Sequence, residues 1–125
     1  MSFFDNPIDP PKLTNGWINN ETNHGSGIEI PIFYPATGQQ VSVLVEDTGD
    51  DVDKAVMSAR QTFDKSNWSK LSTEKRIEIL EDCRQIILDN ADELARLECL
   101  ATGLILREIK GFHIQRAAYN FRFFA

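Results

Sequence analysis

Apolar and polar residues alternate between residues 13 and 45, and a period of two predicts short β-strands. Strands are predicted at residues 13–20, at residues 28–34, where Pro31 interrupts the pattern, and around Val41, Val43 and Val45. Residues 21–27 read as a loop, and residues 34–38 as a turn in which Pro and Gly favour a chain reversal. Together these segments predict a small antiparallel meander.

After residue 48 the spacing of apolar residues changes from that of a strand to that of a helix. Asp50, Asp51 and Asp53 mark a first turn, where negative charge complements the helix dipole. Apolar residues follow at helical spacing and predict one buried stripe. The stripe consists of Val52, Ala55, Val56, Ala59 and Phe63.

Three further helical segments follow. Ser72 is placed to cap a second helix, with Glu74 in its first turn. A third helix restarts at residues 90–93, and Gly103 is its predicted C-terminal cap. Two apolar faces are predicted. On the second helix the face is Ile77, Ile79, Leu80, Cys83, Ile86, Ile87 and Leu88; in the last segment it is Leu106, Ile109, Phe112, Ala117, Phe121 and Phe124.

The predicted fold class is therefore α/β, mixed and mostly helical, with a small antiparallel strand meander followed by about four helices. Residues 1–12, which contain Pro7 and the pair Pro10-Pro11, are predicted to be an extended leader, and residues 13–125 the folded part. The last nine residues are mostly apolar and lack a capping Gly or a polar tail. This pattern leads us to expect a piece of a larger protein, whose missing part or another chain covers the exposed apolar faces.

Charge and targeting signals narrow the possible partners. The chain has 19 acidic and 13 basic residues and a net charge of −6. Nucleic acid is not an expected partner, because phosphate-backbone binding needs clustered Lys and Arg. The first seven residues lack the features of a signal peptide, and no apolar run approaches the ~20 residues that span a membrane. We therefore expect a cytoplasmic protein with no membrane partner.

Motifs that carry chemistry are missing from the sequence. There is no glycine-rich phosphate loop. Cys83 and Cys99 lack metal-ligand spacing, and a pair of buried reduced thiols is favoured over a disulfide or a reactive pair. His24 and His113 also lack such spacing, and no metal site is predicted.

The order of short motifs resembles the N-terminal part of the NAD(P)-dependent aldehyde dehydrogenase family. Each motif alone is weak, but their order and spacing together are specific, and the resemblance runs from about residue 13 to residue 125. The motifs are Trp-Ile-Asn-Asn-Glu at 17–21, Pro-Ala-Thr-Gly at 35–38, the helix at 51–60, Trp-Ser-Lys-Leu-Ser at 68–72, Glu-Leu-Ala-Arg-Leu-Glu at 93–98 with Thr-Gly at 102–103, and Arg-Ala-Ala with Asn-Phe-Arg-Phe-Phe-Ala at 116–125.

The resemblance implies an oxidoreductase that converts aldehydes or semialdehydes to acids with NAD(P). It implies that residues 13–125 are the N-terminal portion of that enzyme's cofactor-binding domain, which is truncated here. It also implies that the nucleophilic cysteine, the general base and the cofactor-binding turn have no counterpart here. Neither Cys83 nor Cys99 has the context of the family's nucleophile, so no catalytic and no cofactor-binding residue is predicted. This chain alone is expected to hold no cofactor. Where the family has an acidic residue that helps to hold a structural cation, this chain has Ala101. Because a hard cation needs oxygen ligands, the resemblance does not extend to that cation site.

The closing residues resemble the branch of the family that acts on muconic semialdehydes. In that branch the arginine at the position of Arg116 holds the substrate carboxylate, a role that suits its two-pronged guanidinium. The resemblance thus predicts a substrate entrance at Phe112 and Arg116. The alternative is that Arg116 is an ordinary surface residue of the helix. Departures from the family's pattern nearby include His113 and Gln115.

Two functions follow from this reading. The first is the N-terminal fragment of an aldehyde dehydrogenase-like enzyme, inactive alone. The second is a non-catalytic structural or interaction module derived from that family, which binds another protein or associates with itself.

Overall fold

The computed structural model describes residues 9–125. The predicted leader spans residues 1–12, and residues 1–8 of it lie outside the described residues. The described chain divides into two compact units. The first contains residues 11–33 and 40–70, and the second contains residues 34–39 and 71–125.

Among the described residues the strands pair in two separate sheets of two strands each. They are β1 (Gly16–Ile18), β2 (Glu21–Asn23), β3 (Glu29–Tyr34) and β4 (Gln39–Val45). β1 is antiparallel to β2, with Trp17 opposite Thr22, and β3 pairs with β4. Beside β4 the Thr14 N–H donates to the Val43 carbonyl at 2.7 Å. The mixed fold class with small antiparallel strand pairs and about four helices is confirmed, although the strands do not form one continuous meander.

The prediction of a loop at residues 21–27 is wrong for its first three residues, which form β2. The connection from β1 consists of two residues, Asn19 and Asn20, and both have positive φ angles, 53° and 64°. Two-residue hairpin loops of this kind match the twist of the strands they join, and Asn tolerates the left-handed conformation. The Asn-Asn pair was therefore the signal for this hairpin.

The first helix, α1 (Gly49–Lys65), begins at the predicted acidic turn. Asp51 is only 3% exposed. Its carboxylate accepts hydrogen bonds from the Thr48 backbone N–H at 2.9 Å, the Thr48 hydroxyl at 2.9 Å and the Lys54 ammonium at 3.0 Å. The bond from the Thr48 backbone, followed by those from Lys54 and the Thr48 hydroxyl, lowers the pKa of Asp51 far below its usual value. The carboxylate therefore stays ionised and fixes the start of the helix.

The apolar stripe of α1 is not buried in the described chain. Val52 is 55% exposed and Phe63 is 66% exposed, and the Arg60 guanidinium lies over the Phe63 ring at 5.2 Å. The prediction that this stripe is buried is therefore wrong, whereas the prediction that these residues form a helix is right. The helical spacing of apolar residues indicates that one face of the helix is apolar, but it does not indicate what covers that face.

The second unit is helical, and its helices begin and end where their capping residues predict. α2 (Thr73–Asp89) begins at Ser72, whose hydroxyl accepts from the Lys75 N–H at 3.2 Å. α3 (Ala91–Thr102) ends at Gly103, which has a φ of 73° and donates its N–H to the Cys99 carbonyl at 2.8 Å. The positive φ explains why glycine occupies this cap.

The last helix is continuous but changes its winding. It consists of α4 (Leu106–Glu108), a π-helical segment (Ile109–His113) and α5 (Ile114–Phe124). The core of the unit lies between this helix and α3, with Ile87 of α2 packed against it. Its buried residues are Ala95, Cys99, Ile109 and Ile114.

The π-helical segment corrects the predicted apolar band. Ile109 and Ile114 are five residues apart and both buried, whereas Phe112 is 67% exposed and Phe124 is 77% exposed. A π-helical turn spans one residue more than an α-helical turn, so it advances the buried face by one position. The band predicted through Phe112 and Phe124 is therefore wrong at those two residues.

Candidate functional site

The two residues predicted at a substrate entrance lie on the exposed side of the last helix. Phe112 is in the π-helical segment, with its ring edge-to-face against His113 at 5.8 Å. Arg116 is in the first turn of α5, and its guanidinium lies 5.8 Å from the centroid of the Tyr119 ring. The spacing of four and three residues places Phe112, Arg116 and Tyr119 on one side of the helix.

Aromatic side chains extend this surface toward the end of the helix. The Tyr119 and Phe123 rings lie 6.3 Å apart, and Phe123 packs edge-to-face on Phe124 at 5.1 Å. We call the exposed surface formed by Phe112, Arg116, Tyr119, Phe123 and Phe124 the aromatic face. It is an apolar surface with one guanidinium in it.

The described residues near Arg116 include an aromatic ring as its contact. Within residues 9–125, no carboxylate forms an ion pair with it. A guanidinium that stacks on an aromatic ring still presents N–H donors along its edge, and two of them match the oxygens of a carboxylate. The geometry therefore suits recognition of a carboxylate-bearing ligand.

Both cysteines lie in helices of the second unit. Cys99 is buried in the core of the second unit, and Cys83 is half-buried on α2. Both are free thiols. Among residues 9–125, no three or more His, Cys, Asp and Glu side chains converge as a metal site. No helix in that range has the length and apolar character to cross a membrane.

A second polar cluster was not predicted from the sequence. Asp92 on α3 accepts a hydrogen bond from Arg96 Nε at 2.7 Å and pairs with the Lys110 ammonium from the π-helical segment. Lys110, followed by Arg96, lowers the pKa of Asp92. The sequence does indicate the Asp92–Arg96 pair, because residues four positions apart are neighbours on a helix. Only the fold brings Lys110 close to this pair.

The comparison with protein families decides the identity of this fold. Residues 21–125 match the model of the aldehyde dehydrogenase family. The chain belongs to the aldehyde dehydrogenase family. It corresponds to the N-terminal part of the family's fold, as its motifs predicted.

Known aldehyde dehydrogenases give the extent of the similarity. The chain is 38% identical over 121 residues to aldehyde dehydrogenase 1 of Tanacetum cinerariifolium, covering 91% of this chain and 23% of the relative. It is 31% identical over 114 residues to 5-carboxymethyl-2-hydroxymuconate semialdehyde dehydrogenase of Escherichia coli, covering 91% of this chain and 24% of that protein.

Solved aldehyde dehydrogenases have the same fold in this region. The NAD+ complex of an aldehyde dehydrogenase from Bacillus cereus superposes with a TM-score of 0.80 at 28% identity, over 86% of this chain and 22% of that protein. The chain thus spans about a quarter of the length of the aldehyde dehydrogenases that it matches.

Proposed function

We propose that the chain is part of an enzyme that oxidises an aldehyde to an acid with NAD(P). The support is the family match over residues 21–125 and the similarity to an aldehyde dehydrogenase solved with NAD+. In such an enzyme a thiolate attacks the aldehyde carbonyl, hydride passes to the nicotinamide, and water hydrolyses the resulting thioester. The residues for those steps would come from the part of the enzyme that this chain does not span.

The substrate that we propose is a semialdehyde, an aldehyde that also carries a carboxylate. Arg116 would bind that carboxylate with its guanidinium edge, and Phe112 would form the apolar wall beside it. The support is the Arg116 guanidinium on the aromatic face, which forms no ion pair with a carboxylate of residues 9–125, and the similarity to a relative named as a muconate semialdehyde dehydrogenase. A neutral aldehyde would gain nothing from this contact.

We expect the purified 125-residue chain to produce no NADH or NADPH from an aldehyde. Cys99 lies in the core, and neither thiol has the sequence context of the family's nucleophile. Absorbance at the wavelength of reduced cofactor, with an enzyme-free blank, is the measurement. Formation of reduced cofactor that Cys83→Ala or Cys99→Ala abolishes would show that one of these thiols does react.

A second candidate function, a structural or interaction module, is favoured by the exposed apolar residues. They lie on α1, as Val52, Val56, Met57 and Phe63, and on the aromatic face. Exposed apolar patches of this kind mark protein-interaction surfaces. The partner that we propose is the rest of an aldehyde dehydrogenase polypeptide or another protein chain. When that partner is absent, we propose that a second copy of this chain covers the same residues.

We expect the isolated chain to associate with itself because water contact with these side chains is unfavourable. Light scattering should give a mass above the 14.2 kDa of one chain. Phe123→Ser with Phe124→Ser should shift the population toward the single chain, whereas Thr102→Ser, which removes only one exposed methyl group, should leave the mass distribution unchanged. A monodisperse single chain that binds no apolar dye would refute this expectation.

We also propose that the protein resides in the cytoplasm. The support is that Cys83 and Cys99 are both unpaired thiols, the usual state in a reducing compartment. Fractionation of cells that express a tagged chain tests this, and recovery outside the cytoplasmic fraction would contradict it.

A further inference from the structure

Four exposed apolar residues of α1 lie in one line along the helix. They are separated by four, three and four positions, the alternation with which two helices pack along a common line of side chains. We call this line the α1 seam. It consists of Val52, Val56, Ala59 and Phe63, all of them exposed.

The side of α1 that packs within its own unit is a different one. Asp51 is buried, and Ala55 and Ser58 are half-buried. At 3.6 residues per turn these three positions lie about 100° around the helix from the α1 seam. The packing of α1 in its unit therefore leaves the α1 seam as a surface on which another helix can lie.

Two opposite charges flank the α1 seam. Asp53 and Arg60 each directly follow a seam residue, so both lie on the same flank, and both are exposed. Among residues 9–125 no ion pair includes Asp53. Arg60 donates to Asp64 from Nε at 3.0 Å and from Nη2 at 2.7 Å. The guanidinium keeps further N–H donors for a second carboxylate.

We propose that the α1 seam pairs with the α1 seam of a second copy of this chain, with the two helices antiparallel. The proposal rests on the self-association proposed above for the chain without the rest of the enzyme, and it adds the surface and its geometry. In the antiparallel order Phe63 lies opposite Val52 of the second copy, and Val56 lies opposite Ala59. Each layer then combines a larger and a smaller side chain, which gives even packing. A parallel pair would place Phe63 against Phe63 and Ala59 against Ala59.

The flanking charges favour the same order. In an antiparallel pair of identical helices the same flank of each helix adjoins, so Asp53 of each copy faces Arg60 of the other and two equivalent ion pairs form. In a parallel pair this flank would adjoin the opposite one, which carries Ala55 and Thr62. No ion pair would form there. Charge complementarity is thus the reason to assign the α1 seam to a second copy.

Sedimentation equilibrium of the whole 125-residue chain at low ionic strength tests the proposal. Asp53→Arg places like charges against each other at both contacts, and so does Arg60→Asp. Each variant alone should raise the dissociation constant of the pair by about tenfold, because two contacts change from attraction to repulsion. An equimolar mixture of the two variants should associate as tightly as the original chain, because every contact of the mixed pair joins opposite charges. The double variant should also recover the original dissociation constant.

Lys65→Glu is the matched control. It reverses an exposed charge of the same helix outside the α1 seam and its flanks, so it should leave the dissociation constant unchanged. Circular dichroism checks that every variant keeps its helices. Single variants that associate like the original chain, or a mixture that associates no better than its components, would overturn the pairing of α1.

The aromatic face provides the comparison that separates this proposal from self-association in general. If Phe123→Ser with Phe124→Ser dissociates the chain and the charge variants of α1 do not, self-association stands and the α1 seam is not its interface. A chain that stays monomeric at every concentration would refute both.

Discussion

Replacing Ile109 with alanine is expected to destabilise the second unit by about 2–5 kcal/mol, the usual cost of truncating a buried isoleucine. Ile109 is fully buried and belongs to the core with Ala95, Cys99 and Ile114. The variant loses both the transfer free energy of the removed methyl groups and the contacts around the cavity that they leave. Because small domains are stable by only about 5–15 kcal/mol, much of the unit should unfold at moderate denaturant. Urea titration followed by circular dichroism measures the loss.

Phe112→Ala is the matched control, because it removes a larger side chain three residues away that is 67% exposed. Its effect should stay within about 0.5 kcal/mol, as for other surface substitutions. The pair tests the π-helical register directly. With a regular α-helix the two residues would share the predicted apolar band, so equal losses in both variants would contradict the π-helical segment.

Capping chemistry was the most predictable part of this fold. Ser72 and Gly103 each satisfy backbone groups within a few residues of themselves, so the relevant information is local in the sequence. The acidic turn at Asp51 was predictable for the same reason. The β1–β2 hairpin was predictable in principle from its Asn-Asn turn.

Burial could not be predicted from the same patterns. Val52 and Ile109 both occupy apolar positions at helical spacing, yet one is exposed and the other is in the core. The difference depends on which surfaces meet in three dimensions. The shift of the buried face between Ile109 and Ile114 likewise depends on a backbone distortion that no residue type marks in the sequence.

The candidate sites show the same contrast. Arg116 was found through the resemblance to a family, since nothing in its local spacing distinguishes it from other surface arginines. The cluster of Asp92, Arg96 and Lys110 brings together residues up to 18 positions apart. Only the packing of α3 against the last helix places these charges together.

In an active protein that contains this chain together with the rest of the enzyme, Arg116→Ala is expected to lower kcat/KM for a carboxylate-bearing aldehyde. The expected loss is about one to two orders of magnitude. A hydrogen bond to a charged group typically contributes roughly 1.5–3 kcal/mol, and about 1.4 kcal/mol corresponds to a tenfold change in rate. The active protein would be obtained by joining this chain to, or complementing it with, the remaining part of a related aldehyde dehydrogenase. Steady-state kinetics with a semialdehyde measures the effect.

A neutral aldehyde of similar size and an Arg122→Ala variant are the two controls for this experiment. The neutral aldehyde has no carboxylate for Arg116 to bind, so its kcat/KM should change little in Arg116→Ala. Arg122 lies on the same helix and is also exposed, so its loss should leave both substrates nearly unaffected. Arg116→Lys should recover only part of the lost activity, because an ammonium group cannot make the two parallel bonds of a guanidinium. Equal losses on the charged and the neutral aldehyde would mean that Arg116 supports the structure of the helix and does not select the substrate.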